Sequence, residues 1–488
     1  MSENSENSVP VWTAAEAPAA TGGRALAPWT ATGVSIDSRS VAPGDLFVAL
    51  SGPNFDGSAF VADALAKGAA GAVTTRVPDG ISANAPLLLV NDAVKALEDL
   101  GRASRARSTA RFAAVTGSVG KTSTKEALRH CLAAQAPTYA TQGNLNNHFG
   151  VPLSLARMPA SCRYGVFELG MNHAGEIGPL SRQVAPDVAL ITTIEPVHIE
   201  YFASIEGIAD AKAEIFEGMG PAGVAILNRD NPQYVRLMTA AQKAGLSRIW
   251  NFGEHQDADA RITELSLHAT CSAITATIKG ERLQYCLSLP GRHHVLNSLA
   301  VLLAVRGLEG DLGAAARAMS SLQPVKGRGL RKRVHLAQGS FTIIDESYNA
   351  SPAAMRAAFE VLSRIDPGAG GRRLAVLGDM RELGDHAERL HAELAEPLKR
   401  AGIDLVYCCG PHMRALYDRL PAAMRGGWTE SSAELAAKLA FMVKAGDVAM
   451  VKGSAGTKMG PVVETLLALD VRQDEAAQPA PGLLAAGG

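Results

Sequence analysis

The stretch TGSVGKTS sets two glycines, a lysine and a threonine in the order that suits a bound polyphosphate. Gly117 and Gly120 lack the side chains that would keep the backbone from closing on an anion. The freed N–H groups and the start of a helix favour negative charge there, and Lys121 adds a point charge. Thr122 then offers the hydroxyl that commonly ligates Mg²⁺ beside such a loop, so Thr116, Gly117, Ser118, Val119, Gly120, Lys121, Thr122 and Ser123 read as one nucleotide cradle. Upstream, FAAVT is an apolar run suited to a buried strand, and Leu128, Cys131 and Leu132 follow at helical spacing. One position departs from the general pattern, which wants glycine where this chain has Val115. By itself the cradle leaves motors, switches, kinases and ligases all open.

These residues need a scaffold, and 488 residues are too many for one core, which suggests about three domains. Hydrophobic residues make up 47% of the chain and the formal net charge is −1, so several buried cores are within reach and a surface built for nucleic acid is not implied. The opening MSENSENSVPVW has no basic segment leading into an apolar core. The apolar stretch Val295 to Val305 is broken by Asn297 and Ser298 and is too short to span a bilayer. The expectation is a cytoplasmic protein without stable membrane insertion. Six cysteines show neither CxxC pairing nor metal-ligand spacing, which reads as buried, reduced thiols.

The fold class expected is α/β in three domains. Residues 1–30 read as a flexible leader and 31–107 as a small α/β domain. The runs FAAVT, GVFELG, VALITTI and GVAILN, between helical patterns, give a central domain at 108–325 with a mainly parallel sheet. The segment Thr263 to Leu289 alternates and reads as a short antiparallel portion. FTIIDES, RLAVLGD, LVYCCG and DVAMVKGS give a Rossmann-like domain at 326–470, and 471–488 reads as a disordered tail. The Arg-rich Gly101–Arg111 and the Gly- and Arg-rich Pro324–Val334 read as hinges. RDNPQY, Arg229 to Tyr234, reads as a turn.

Nine ordered motifs carry a more specific signal: GVSIDSRSVAPGDLFVALSGPNFDGSAF, TGSVGKTS, GNLNNHFGVPLSL, FELGMNHAGEIG, ITTIEPVHIEYF, ADAKAEIFEGM, LPGRHHVLNSLA, DESYNASPAAM and LGDMRELG. Together they resemble the Mur ligases of bacterial cell-wall synthesis over roughly residues 30 to 470. The likeness is to the member that joins D-alanyl-D-alanine to UDP-N-acetylmuramoyl-tripeptide, which implies an ATP-dependent amide-bond ligase with an N-terminal UDP-binding domain, a central ATP-binding domain and a C-terminal Rossmann-like domain. The enzyme is expected to act as a monomer.

The chemistry of such a ligase explains the residues. Turning a carboxylate into an acyl phosphate brings one anion against another, so cations must neutralise the triphosphate. Glu168 ends an apolar strand and His198 follows another, so both could reach the phosphate loop. The resemblance makes them Mg²⁺ ligands, with two ions expected. It also implies that Lys212 is carbamylated and gives oxygen to the second ion. It further implies that Asn144, Asn147, His293 and Asn297 contact the nucleotide, that Arg328 reaches the γ-phosphate, and that Tyr348 and Asn349 face it. Asp345, after an apolar strand, reads as a ribose partner. Ser38 and Arg39 in SIDSR suit the UDP diphosphate.

Replacing Lys121 by Ala should leave folding intact and cut nucleotide turnover by a factor corresponding to about 3 kcal/mol of transition-state stabilisation. Steady-state ADP release from a variant of unchanged circular dichroism checks this, and wild-type turnover would remove the loop from the chemistry.

Overall fold

The computed structural model describes residues 9–52 and 56–472. Residues 1–8 of the expected leader, residues 53–55 of the first motif and the expected tail from 473 onward lie outside the described residues. Three α/β units follow one another, each around its own main sheet.

The first has five strands in the order Arg24–Ala25, Leu87–Leu89, Gly71–Thr74, Asp45–Val48, Gly33–Ser35, parallel except for the first. Its helix Ala93–Arg107 starts where the Asp92 carboxylate accepts the Val94 and Lys95 N–H groups.

The central sheet has nine strands. From one edge it runs Thr138–Ala140, Tyr164–Glu168, Arg111–Thr116, Val188–Ile191, Val224–Asn228, Arg248–Gly253, Ala260–Leu267, all parallel. It closes with the antiparallel strands Ser272–Ile278 and Glu281–Leu287, as the alternation there predicts. Helices cover both faces, so strand side chains on both sides are apolar. Ala113 and Val115 join a core with helices Lys121–Ala133 and Arg292–Gly307, while Phe112 and Ala114 join the opposite one. The chain leaves Arg111–Thr116, returns on one side of it, then crosses to the other. Ligands bind outside the carboxyl ends of strands at such a switch point.

The third sheet runs Leu330–Leu336, Gly339–Glu346, Val448–Lys452, Arg373–Gly378, Leu405–Cys409, Arg425–Thr429. Only its first strand is antiparallel. The Gly-rich RGGWT and the polar RIWNFG of the central sheet are strands that the sequence reading did not anticipate.

Four sequence expectations fail here, in whole or in part. The leader is ordered from residue 9: Trp12 is 2% exposed, its indole N–H donates to the Ala156 carbonyl at 3.0 Å, and Arg107 stacks on its ring. The Gly101–Arg111 hinge is mostly helix. Gly101 and Ser104 sit on its buried face, and a Cβ on Gly101 would come 3.0 Å from Pro152 Cα in helix Gly150–Arg157. Arginines masked that face because their heads are satisfied away from it: Arg105 packs over the Phe112 ring and donates to the Val184 and Ala185 carbonyls. In the second expected hinge, Leu330 to Val334 is strand, and only the stretch before it, with Gly327 and Gly329 at positive φ, is loop. Of the cysteines, Cys286 is exposed and Cys271 half-buried, against the expectation of burial.

Trp12→Ala should lower stability by about 3 kcal/mol, the cost of emptying an aromatic site in a core. The exposed Val9→Ala should stay within about 0.5 kcal/mol of wild type. Urea denaturation of both variants checks it, and an equal response would mean the segment adds nothing to the core.

Candidate active site

The phosphate-loop backbone is pinned from the neighbouring strand end. Gly117 has φ +144°, and a Cβ on it would overlap Thr192 Oγ1 at 1.9 Å, so only glycine fits. The Thr192 hydroxyl donates to the Val119 carbonyl at 2.6 Å, and the Ser118 hydroxyl bridges the Glu195 carbonyl and N–H, both at 3.0 Å. Gly120, at φ +86°, starts helix Lys121–Ala133 beneath Asn297, whose amide would lie 2.9 Å from an added Cβ. Lys121 Nζ folds back onto the Gly117 carbonyl at 2.7 Å.

Neighbouring strand ends surround this loop. Glu168 closes the strand on one side and is 2% exposed; its Oε1 accepts from Asn146 at 2.9 Å, while Oε2 is buried without a partner. His198, with φ +61°, stands in the loop after the strand on the other side, and its Nδ1 lies against the carboxylate of Glu382 from the third unit. Lys212, near the end of helix Ile205–Ala213, is 1% exposed. The third unit contributes Arg328, whose guanidinium stacks over the Tyr348 ring at 4.5 Å. Lys452 binds the Glu346 carboxylate and the Asn349 carbonyl, each at 3.0 Å. A cavity of about 590 Å³ lies between the two units.

Its electrostatics point to an anion. Burial pushes the Lys121 ammonium below its ordinary range, with Arg328 adding repulsion and Glu168 opposing both. Lys212 is driven well below its ordinary value by burial and then by the charge of Lys121, against a smaller pull from Glu214. Cations held this close out of water are stabilised by a polyanion between them. A hard cation fits the same place: the orphaned Glu168 oxygen, the Thr122 hydroxyl and the His198 imidazole are oxygen and nitrogen donors. Among the described residues, no three His, Cys, Asp or Glu side chains gather tightly enough to hold a metal alone. Such an ion would need oxygens from the nucleotide, as Mg²⁺ habitually does.

Of the residues singled out from sequence, Ser118 to Ser123, Asn144, Glu168, His198, His293, Asn297, Arg328, Tyr348 and Asn349 line the cavity. Others do not. Thr116 is fully buried and donates to the Leu169 carbonyl, and Gly117 lies beneath the loop against Thr192. Asn147 uses its side-chain oxygen on the Phe149 and Gly150 N–H groups, opening helix Gly150–Arg157. Its neighbour Asn146 takes the place expected of it, and only the register within GNLNN separated the two. The Asp345 carboxylate is occupied by Gly327 N–H, Ser347 N–H and the Ser347 hydroxyl, so it fastens the inter-unit loop and is not free for a ribose. Lys212 sits behind the cavity wall. Ser38 and Arg39 stand apart on the first unit, with Arg39 exposed and paired to Asp37. RDNPQY is a turn, as read, but its Asp230, Asn231 and Pro232 also line the cavity. Lys452 was missed, although a lysine at the carboxyl end of the apolar run DVAMV was a signal.

A phosphate loop at the switch point of a parallel sheet, facing a second nucleotide-fold unit across a cationic cleft, defines an ATP-using enzyme of ligase architecture. Three family profiles match in order: "Mur ligase family, catalytic domain" over residues 30–105, "Mur ligase middle domain" over 115–305 and "Mur ligase, glutamate ligase domain" over 331–455. This chain belongs to the Mur ligase family, whose members are ATP-dependent ligases. Among curated relatives, two UDP-N-acetylmuramoyl-tripeptide--D-alanyl-D-alanine ligases stand out. The protein of Rickettsia prowazekii is 34% identical, over 88% of this chain and 94% of its own. That of Escherichia coli is 35% identical, over 90% and 94%. The crystal structure of MurF from Acinetobacter baumannii superposes with a TM-score of 0.81 at 32% identity, covering 94% of this chain and all of that one. MurF ligase from Thermotoga maritima, solved in complex with ADP, gives 0.74 at 27% identity, over 90% and 98%.

Burial, with the charge of Lys452 adding to it, pushes His293 from 6.5 down to about 4. Between those values the unfolded chain takes up a proton that the folded protein refuses, so the stabilisation is complete above about pH 6.5 and is lost as pH falls toward 4. His293→Gln should therefore narrow the stability loss between about pH 7 and pH 4.5 by on the order of 2 kcal/mol. Denaturant midpoints of both proteins at the two pH values check it, and parallel curves would contradict the shift.

Proposed function

We propose that this chain adds D-alanyl-D-alanine to UDP-N-acetylmuramoyl-tripeptide, with ATP consumed through an acyl phosphate, and so makes UDP-N-acetylmuramoyl-pentapeptide for peptidoglycan synthesis. The observation that carries this reading is the identity of 34 to 35% to ligases of that name over more than nine tenths of their length. The convergence of Lys121, Lys212 and Arg328 on the phosphate loop supports the phosphoryl-transfer half of it.

In this mechanism the loop N–H groups and Lys121 hold the triphosphate, Asn144, Asn146, His293 and Asn297 frame the nucleotide, and Tyr348 and Asn349 close over it. Arg328 contacts the γ-phosphate once the third unit is docked. Thr122, Glu168 and His198 would hold Mg²⁺, which supplies charge neutralisation for the transferring phosphoryl group. Lys212, buried and driven toward the neutral amine, has the lone pair that attacks CO₂: an N–C bond forms, a proton leaves and a carbamate oxygen becomes available to a second ion. The tripeptide carboxylate attacks the γ-phosphorus and ADP departs; the dipeptide amine then attacks the acyl carbon and phosphate departs. Excluding water protects the acyl phosphate between these steps. Ser38 and Arg39 would hold the UDP end. We place the enzyme in the cytoplasm as a monomer. No helix among the described residues is long and apolar enough to cross a membrane.

ADP release should require both UDP-N-acetylmuramoyl-tripeptide and D-alanyl-D-alanine, and turnover without either would overturn the ligase assignment. Lys212→Ala should lose activity about 100-fold, with partial recovery in short-chain carboxylates that stand in for the carbamate. Retained activity at saturating Mg²⁺ would rule the carbamate out.

A further inference from the structure

Two loops at carboxyl strand ends meet across the cleft: one follows Val188–Ile191 in the central sheet and the other follows Arg373–Gly378 in the third. Where they touch, both loops take a backbone conformation that side chains resist. His198 has φ +61° and Glu382 φ +62°, both left-handed and neither glycine. Their side chains meet, His198 Nδ1 against a Glu382 carboxylate oxygen, without yet aligning as a hydrogen bond. The contact is supported on every side. Ile199 packs against the central core and the third-unit core at once. A Cβ on Gly384 would come 3.1 Å from Glu200 Cβ. Below Glu382, the Met380 N–H donates to the buried His391 at 2.9 Å and the Arg381 N–H to Ser454 Oγ at 3.0 Å.

An imidazole has two nitrogens, and a carboxylate on one fixes it as the N–H, leaving the lone pair of the other for a cation. Here that carboxylate comes from a different unit than the imidazole. We propose that Glu382 is a positioning residue that orients His198 toward the divalent cation, so that docking of the third unit completes the metal site. The inference rests on the function proposed above. Strain at both residues is held by the interface, so undocking releases the carboxylate and the imidazole together.

The test uses the full chain with Mn²⁺ as probe, its bound fraction read by electron paramagnetic resonance beside a non-hydrolysable ATP analogue. Glu382→Ala should weaken Mn²⁺ binding by about tenfold or more, as loss of an outer carboxylate does. Glu382→Gln should keep part of it, because an amide oxygen can accept from Nδ1–H once the pair aligns. In a His198→Ala background the Glu382 substitution should have no further effect, and ¹⁵N-histidine spectra should show His198 losing its Nδ1–H form in Glu382→Ala. The exposed Glu388→Ala is the control. Mn²⁺ affinity within about twofold of wild type in Glu382→Ala, or an equal loss without His198, overturns the inference. If Glu382→Ala does not fold, Glu382→Gln decides: a loss that disappears with His198 supports the proposal, and no loss overturns it. Ligation by the wild type on the same samples separates the outcomes, since its absence would strike the proposed function and leave the Glu382–His198 coupling to be judged by the Mn²⁺ and ¹⁵N data.

Discussion

Lys121 and Arg328, half-buried on the cavity wall, and the fully buried Lys212 set positive charge around the phosphate loop, and that concentration of charge is the constraint that organises the rest. Repulsion among buried cations is costly unless an anion enters or a proton leaves. Both remedies are built in: the phosphate loop from Ser118 to Ser123 lines the cavity, and Lys212 is pushed toward the neutral amine. The parallel sheet places Glu168 and His198 on either side of the same loop because their strands are hydrogen-bonded neighbours of Arg111–Thr116. The third unit completes the wall with Arg328 and Lys452. The central and third units thus each carry part of a charge arrangement that neither holds alone.

Much of this was legible in the sequence, and for physical reasons. A buried parallel strand must be apolar on both faces, so FAAVT, VALI and VAIL announce themselves, and glycines at a strand-to-helix turn mark a place where backbone must come close. The strand-end positions of Glu168 and His198 could be read the same way. What was lost depended on three-dimensional neighbours. Helix Ala93–Arg107 buries Gly101 against Pro152 and Ser104 beside it on the same face, and no periodicity of large apolar residues records that packing. Asp345 looks free in sequence because its partners are backbone N–H groups from Gly327 and Ser347. Asn146 and Asn147 are adjacent and identical in type, and only the cap of helix Gly150–Arg157 tells which one turns to Glu168.

The loop before Leu330 is the stretch that leads into the third unit's sheet. Gly327 and Gly329 have positive φ there, and Gly327 is tied to Asp345. A Cβ on Gly327 would meet Tyr348 Cβ at 2.8 Å, so the glycine lets the loop lie against the residue on which Arg328 stacks. Rotation about this loop would move Arg328 and Glu382 together, the one toward phosphate and the other toward His198.

The seam between the first and central units behaves differently. Leu153 and Ala156, in a helix of the central unit, belong to the same apolar cluster as Val11, Trp12, Val34, Leu97 and Leu100, and Arg157 donates to the Val34 carbonyl at 2.5 Å. Two stretches matched by separate family profiles therefore share one interior. In evolutionary terms the border between them is a seam of ancestry and not of mechanics. A gene fragment encoding the middle stretch alone would bare Leu153 and Ala156 to water, so the nucleotide-binding unit of this chain is not a self-contained module; its apolar surface is finished by the segment that begins at Val11.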